Sequence, residues 1–317
     1  MQNKNPNCLF GVDINEYTQG VNFTVLATKI DFLYLRSSGS ATGRFRVDKK
    51  FLAFAKEARN YGIPVGAYHF GVPSYDLTDA DRQCDDFIQV LQNGFGEKDY
   101  GDLFPVLDVE TPTDKSQLST KTLIEWIDRF RKRFEKKTRR RLMLYTGAFF
   151  IDLYDDFYVK GKGYPLKNMI LWIAMYTKIP GNPPYPKDQG GWKRWRIWQF
   201  SEDLKVEGIG NPVDANWGPN NIALLTQPSI VTGLKAVVDG VNIKVTWNRV
   251  TDVDLLGYNI FVDGNWVGTL DENDTEFVIN KNKLPVKFNK PINISIEAFD
   301  YDGETSKKRA TVKLMPK

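Results

Sequence analysis

Seven apolar segments in the first two thirds of the chain each run into a group capable of chemistry. They are LFGVDIN (9–15), DFLYLRSS (31–38), PVGAYHFG (64–71), LFPVLDVE (103–110), RLMLYTG (141–147), ILWIAMY (170–176) and RWRIWQFS (194–201). Their ends carry Asp13, Arg36, His69, Asp108 with Glu110, Tyr145, Tyr176 and Gln199. Amphipathic helical patterns over 48–61, about 78–93 and 119–137 separate the early segments. Strands alternating with helices argue for parallel strands joined by crossover helices. If such strands close into a barrel, their C-terminal ends converge on one face, and that face holds the site. The expected fold of residues 1–222 is therefore an α/β architecture, a TIM-like β/α barrel. Between 176 and 194 the chain reads IPGNPPYPKDQGG with no helix signal, so the barrel is expected to be irregular, with helices missing in its second half.

The period changes near residue 229. GLKAVVDGVNIKVTW, LLGYNIFVDGNWVGTL, TEFVI, PINISIEAFDYDG and KKRATVKLM are short alternating stretches, separated by turn dipeptides such as Asp263-Gly264 and Asp302-Gly303. Alternation with regular turns predicts an antiparallel all-β sandwich over 229–317. LTQPS (225–229) marks the join, so 223–228 is read as a linker. Two domains suit a chain of 317 residues.

Charge is informative only locally. The net charge is +4, and residues 226–317 hold 12 basic and 12 acidic side chains, so the excess belongs to the first part. Most of it is RFRKRFEKKTRRR (129–141). Leu123, Ile124, Trp126, Ile127, Phe130 and Phe134 recur at helical spacing, which puts the basic residues on the opposite, solvated face. No specific nucleic-acid binding is expected from it; weak attraction to an anionic wall polymer is compatible with it. The longest apolar run, MILWIAM, is far too short to span a membrane. MQNKNPNCLFGVD has no apolar core of a secretory signal. The expectation is synthesis in the cytoplasm and action elsewhere after release by another route. Cys8 and Cys84 fit no metal spacing and are read as free thiols.

A single histidine, His69, narrows the chemistry. It excludes a zinc site built on several histidines, and no G-x-S-x-G elbow accompanies it. No Walker or dinucleotide motif occurs, so neither a metal nor a cofactor is expected. His69 itself reads equally as a hydrogen-bonded pocket residue or a proton carrier. Carboxylates remain. Asp108 and Glu110 are two apart on a predicted strand, so their side chains share a face while Val109 packs behind. Two like charges that close raise one pKa, and a carboxyl kept protonated suits a glycosidic leaving group. A D-x-E pair can also bind a cation or sit solvated at a strand end. Asp13 in GVDIN and Asp214 in GNPVDANW add acids, the latter read as following the last strand. Tyr68, Tyr145, Trp172, Trp198 and Gln199 supply aromatic and amide groups at strand ends, a surface suited to sugar rings.

FGVDIN, VGAYHFG, FPVLDVE, LYTG, LWIAMY and WQFS…VDANW, in this order, resemble glycoside hydrolase family 25, the Chalaropsis-type muramidases. The resemblance covers residues 9 to about 222. It implies an irregular β/α barrel and hydrolysis of the β-1,4 bond between N-acetylmuramic acid and N-acetylglucosamine in peptidoglycan, with retention. By carry-over Glu110 is the general acid and later the base. Asp108 assists at the sugar carbon, through the substrate's N-acetyl oxygen or directly. Asp13 and Asp214 complete the acidic floor. Tyr68, Tyr145, Trp172, Gln199, Arg36 and His69 are the substrate contacts. NEYTQG after the first aspartate and LRSSG after the second strand depart from the family pattern, which touches the outer subsites. VTW, GYNIFVDG and ISIEAFDYDGETS resemble a fibronectin type III module. The pairing of the two resembles clostridial spore cortex-fragment-lytic muramidases. A phage endolysin acting on vegetative wall is the alternative, and a non-catalytic peptidoglycan binder is a third reading. The module shows no aromatic binding stripe, and self-association into a homodimer is expected of it.

Overall fold

The computed structural model describes residues 1–40, 43–176 and 185–316. The chain divides into two compact units, Met1–Leu225 and Thr226–Lys317. Most of the proline- and glycine-rich stretch, 177–184, lies outside the described residues.

The first unit is a closed barrel. Strands β1 (Phe10–Ile14), β2 (Phe32–Gly39), β4 (Val65–Phe70), β5 (Val106–Asp108), β6 (Met143–Gly147), β7 (Ile170–Ala174) and β8 (Ile197–Leu204) run parallel in that order around the ring. A further strand, β9 (Val213–Trp217), closes it antiparallel to both β8 and β1. A two-residue strand, β3 (Arg46–Val47), is appended to the edge of β2. Asp214 thus lies within a strand and not after the last one. The closing strand is paired in register so that Asp214 stands opposite Asp13.

Alternation sorts each strand. Leu33, Val65, Ala67, Leu107, Leu144 and Ile173 face the helices, in one core. Phe32, Tyr34, Tyr68, Val106, Met143, Tyr145, Trp172 and Ile197 fill the barrel interior, in a second core. Leu103, Phe104 and Leu225 join that inner core, and the Tyr34 hydroxyl donates to the Phe104 carbonyl at 3.1 Å. Gly66 is there for room. A Cβ on it would stand 2.4 Å from the Tyr34 ring, far inside van der Waals contact. The interior is thus packed beneath the strands' C-terminal ends and only the upper rim is available for chemistry.

Three long helices cover the first half: α2 (Phe51–Asn60), α3 (Leu77–Phe95) and α4 (Thr120–Thr138). The starts of α3 and α4 are chemically marked. The Asp76 side chain accepts from the Thr78 amide, and Ser119 Oγ from the Thr122 amide, each taking up an otherwise unpaired N–H. The apolar stripe of α4, from Leu123 to Phe134, is buried to within 2 %. Each such large side chain contributes about 1.5–3 kcal/mol on burial. The short helices are α1 (Phe23–Leu26), capped by the Asn22 side chain, and α5 (Ala148–Leu153), which has no side-chain cap. No further α-helix follows α5 among the described residues of this unit.

The basic run has its counter-ions in place. Arg129 grips Asp81 with two bonds of 3.0 and 2.6 Å, Arg133 grips Asp85 with two of 2.6 Å, and Lys137 reaches Asp85 at 2.7 Å. Residues 129, 133 and 137 on α4 thus mesh with 81 and 85 on α3, by the i, i+4 spacing of each helix. These half-exposed pairs add little stability singly.

The second unit is a seven-stranded β structure. Strands β10 (Thr232–Asp239), β11 (Asn242–Asn248) and β14 (Glu276–Asn280) form one antiparallel sheet. β13 (Asn265–Asp271), β12 (Leu255–Val262), β15 (Ile292–Asp300) and β16 (Ala310–Leu314) form the other. Inward residues Ile243, Val245, Trp247, Tyr258, Ile260, Ile294 and Ile296 make its core. The Asp263-Gly264 turn has φ of 44° and 82°, the left-handed pair that a tight hairpin requires. Among the described residues no helix of either unit is long and apolar enough to cross a membrane.

Candidate active site

Four carboxylates converge at the upper rim of the barrel. Asp13 from β1, Asp108 at the end of β5, Glu110 just beyond it and Asp214 from β9 line one cleft with Tyr68, Tyr145, Trp172 and Gln199. Strand register explains the convergence. Asp108 pairs with Tyr145 and Tyr145 with Trp172, so these three stand side by side facing inward. Ala174, Gln199 and Asn216 form a second row, and Asp13 with Asp214 closes the ring. Past Glu110 the chain turns through a cis Thr111–Pro112 bond. The cavity at the floor of the cleft measures about 60 Å³.

A hydrogen-bond network fixes the floor. Gln199 Nε2 donates to Asp13 Oδ2 at 2.9 Å, and its Oε1 accepts from Tyr145 and Tyr176 hydroxyls at 2.8 and 2.7 Å. Asn216 Nδ2 donates to the same Asp13 oxygen at 2.8 Å, while its Oδ1 accepts from Trp172 Nε1 at 2.8 Å. Asp13 is only 5 % exposed and Asn216 wholly buried. Two amide donors on one oxygen favour the Asp13 anion. Asn216 is a positioning residue the sequence reading passed over. The signal was present: it is two residues from Asp214 on a strand, hence on the same face.

Electrostatics follow from burial and crowding. Burial raises Asp13, against the lowering effect of its amide donors. Asp214 is pushed up to about 9, by burial first and then by the Asp13 charge, to which it is hydrogen-bonded. The proton of that pair therefore resides on Asp214. Asp108 is raised well above the usual carboxylate range by burial, then by Glu110 and Asp13, with Arg36 acting in the opposite direction. Glu110 is raised by burial and by Asp13. Asp108 and Glu110 cannot both ionise readily, so protonating one releases the other. The cluster retains protons at neutral pH and offers one to whatever reaches Glu110, which like Asp214 is only partly buried.

Two of the residues expected to touch a substrate do not line the cleft. His69 is fully buried on the opposite face of β4, because Tyr68 beside it already faces inward. Its ring stacks near Phe45, Phe87 and Phe130, bonds to Ser38 and Gln83, and is held neutral by burial with a pKa of about 4. It is a core residue, neither a pocket group nor a proton carrier. Arg36 does not line the cleft. Its Nε donates to Asp48 at 3.2 Å and its guanidinium lies over the exposed Tyr17 ring. Trp198 likewise faces the helices, in the outer core. Among the described residues no group of His, Cys, Asp and Glu has the disposition of a metal site. Cys8 and Cys84 are free.

Comparison with known proteins places this arrangement. The signature of Glycosyl hydrolases family 25 matches residues 12–209. The crystal structure of the Clostridium perfringens spore cortex lytic enzyme SleM superposes with a TM-score of 0.96 at 60 % identity, covering 99 % of this chain and 100 % of that one. Lysozyme M1 of Streptomyces globisporus is 28 % identical over 211 residues, 65 % of this chain and 66 % of that protein. The N,O-diacetylmuramidase of Chalaropsis sp. is 26 % identical over 212 residues, 65 % of this chain and 94 % of that protein.

Proposed function

The chain belongs to glycosyl hydrolases family 25, and from that premise we propose that its barrel is an N-acetylmuramidase acting on spore cortex peptidoglycan. The observation that carries the chemistry is the crowding of Asp13, Asp108, Glu110 and Asp214 around one cleft floored by Trp172 and Gln199. In this reading Glu110 gives its proton to the glycosidic oxygen as the C1–O bond breaks. Its hydrogen bond to that oxygen selects the microstate with the proton on Glu110 and the charge on Asp108. The Asp108 carboxylate faces the positive charge that develops at C1 and on the 2-acetamido group. Glu110, now ionised, takes a proton from the water that attacks C1, and the configuration is retained. Tyr68, Tyr145 and Trp172 hold the sugar, and Asp13, Asp214 and Asn216 set the field.

The 60 % identity to SleM, a spore cortex lytic enzyme, along nearly the whole chain supports the cortex as substrate. Purified cortex and vegetative wall should both be digested in parallel and the new reducing ends identified by mass spectrometry. Muramic acid ends, formed faster from cortex, are expected. Glucosamine ends would overturn the muramidase reading, and faster release from vegetative wall would favour an endolysin-like role.

For the second unit we propose a fibronectin type III-like module that pairs with its own copy. Val237 and Val278 lie 56 % and 50 % exposed on the outer face of its three-stranded sheet, either side of Lys244. Size-exclusion chromatography should give a dimer for the full chain and a monomer without residues 226–317. A monomer in both cases retires the idea.

A further inference from the structure

A second, larger cavity of about 420 Å³ opens on the same rim. Its wall includes Ser40 after β2, Phe45, Val72 after β4, and Asp79, Gln83 and Asp86 from α3. It shares no residue with the carboxylate cleft, yet the two are close along the backbone. The Gly71 amide donates to the Asp108 carbonyl at 2.8 Å, so Val72 on the cavity's lip is one peptide from the strand that carries the acids.

The wall is built, not accidental. Gln83 is 5 % exposed and spends every hydrogen bond on structure. Its Oε1 accepts from His69 Nε2 at 3.1 Å and the Val72 amide at 3.2 Å. Its Nε2 donates to the Val72 carbonyl at 3.0 Å and to Asp79 at 2.5 Å. Because Oε1 can only accept, His69 carries its proton on Nε2, and Nδ1 accepts from Ser38 at 3.0 Å. A neutral, buried histidine thus props the glutamine that pins the lip to α3. His69 belongs to this second cavity's scaffold.

The lining points to an occupant. Ser40 is 4 % exposed, and its buried hydroxyl has no hydrogen-bond partner among the described residues. An orphaned buried hydroxyl costs free energy unless a ligand completes it. The described lining carries two carboxylates, Asp79 and Asp86, against one cation, Arg82, whose guanidinium is paired with Asp79 and with Asp76. Phe45 and Val72 supply apolar surface between them. The volume falls in the range of small-ligand sites, about 300–1,000 Å³, which the carboxylate cleft does not reach.

We propose that this cavity binds the peptide branch of the wall polymer, with an amino group of that branch against Asp86 and Asp79, a peptide group on Ser40 Oγ and a small apolar side chain on Phe45 and Val72. The inference rests on the muramidase reading, because the peptide is attached to the muramic acid ring that the carboxylate cleft would hold. A branch of three or four residues spans roughly 10–14 Å when extended, and the two sites are joined through the Gly71–Asp108 backbone bond.

The test compares soluble glycan strands carrying their peptides with strands stripped by an amidase, for the parent, Asp86→Asn and Ser40→Ala. The parent should cleave peptide-bearing strands with about 10-fold higher kcat/KM, through a lower KM. Each variant should lose most of that advantage and match the parent on stripped strands. Acetylating the peptide amines should act on the parent as Asp86→Asn does. Equal cleavage of both strands by the parent, or an equal loss on both in the variants, overturns the proposal. A parent that cleaves neither strand overturns the muramidase reading instead. Titration with the free amine-bearing peptide then decides: binding by the parent but not by Asp86→Asn supports the cavity assignment, and absent or unchanged binding removes it.

Discussion

Replacing Glu110 with Gln should lower kcat on wall glycan by about 10²–10⁴-fold while leaving the fold intact, the scale of a lost general acid–base. Gln keeps the shape and a hydrogen bond but has no proton to give to the leaving oxygen. Two further readouts separate this from simple disruption of the cleft. An aryl glycoside whose phenol leaves without protonation should be cleaved with a much smaller deficit in its first step. The parent's rate should also fall as pH rises through the raised Glu110 pKa, because burial and Asp13 hold that proton in place until then. The variant should lose that alkaline limb. Activity on cortex within a few-fold of the parent would end the assignment of Glu110 as the acid. A uniform loss on both substrates, with a lower melting temperature, would instead make it a structural residue.

The first half of the barrel was legible because its signals are strong and local. Each strand there is an apolar run ended by Gly, Pro or a polar group, each long helix has an apolar stripe, and α3 and α4 also have a side-chain cap, at Asp76 and Ser119. The acids Asp13, Asp108 and Glu110 stood out as polar residues at the ends of apolar strands. The second half offered less. β9 reads VDANW, in which Val213, Ala215 and Trp217 alternate with two polar residues that face inward, because its inner face is part of the site and not of the core; five residues with only one apolar face make a weak strand signal beside the doubly buried strands of the first half. That is why the sequence alone puts Asp214 after the last strand and does not single out Asn216. Function had displaced the hydrophobic pattern on which strand recognition depends. His69 failed in the opposite way. It sits one residue from Tyr68, and a period of two sends neighbours to opposite faces. The segment VGAYHFG cannot place both at the rim, and the aromatic layer of Phe87 and Phe130 that receives the imidazole comes from helices distant in the chain. Arg36 faces inward by parity and its charge acts on Asp108, but its Nε is engaged by Asp48, 12 residues on, and it does not line the cleft.

The same crowding that makes the site reactive should make it a source of instability, and Asp214→Asn should reveal it. Asp214 titrates at about 9 in the fold, against about 3.9 for a free aspartate. A carboxyl raised on folding contributes stability that is complete below the unfolded pKa and is lost as pH climbs through the folded one. Between about pH 4 and 9 the native barrel thus keeps a proton that the unfolded chain releases, at up to about 1.4 kcal/mol per pH unit. Asn does not titrate, and its amide can still donate to Asp13 as the protonated Asp214 does. At pH 8 the variant should be more stable by on the order of 2–4 kcal/mol, or roughly 5–10 °C in the barrel's melting temperature. At pH 4.5 the difference should shrink toward zero. Cleavage of wall glycan should fall at the same time, by about 10-fold or more, because the shared proton and the charge that tunes Glu110 are disturbed. Melting curves followed by tryptophan fluorescence at the two pH values, beside turnover, check both halves. A variant that is no more stable than the parent at pH 8, or is stabilised equally at pH 4.5, would mean that Asp214 is ionised in the fold. The Asp13–Asp214 pair could not then be a proton reservoir, and the field on Glu110 would have to come from two full negative charges instead of one.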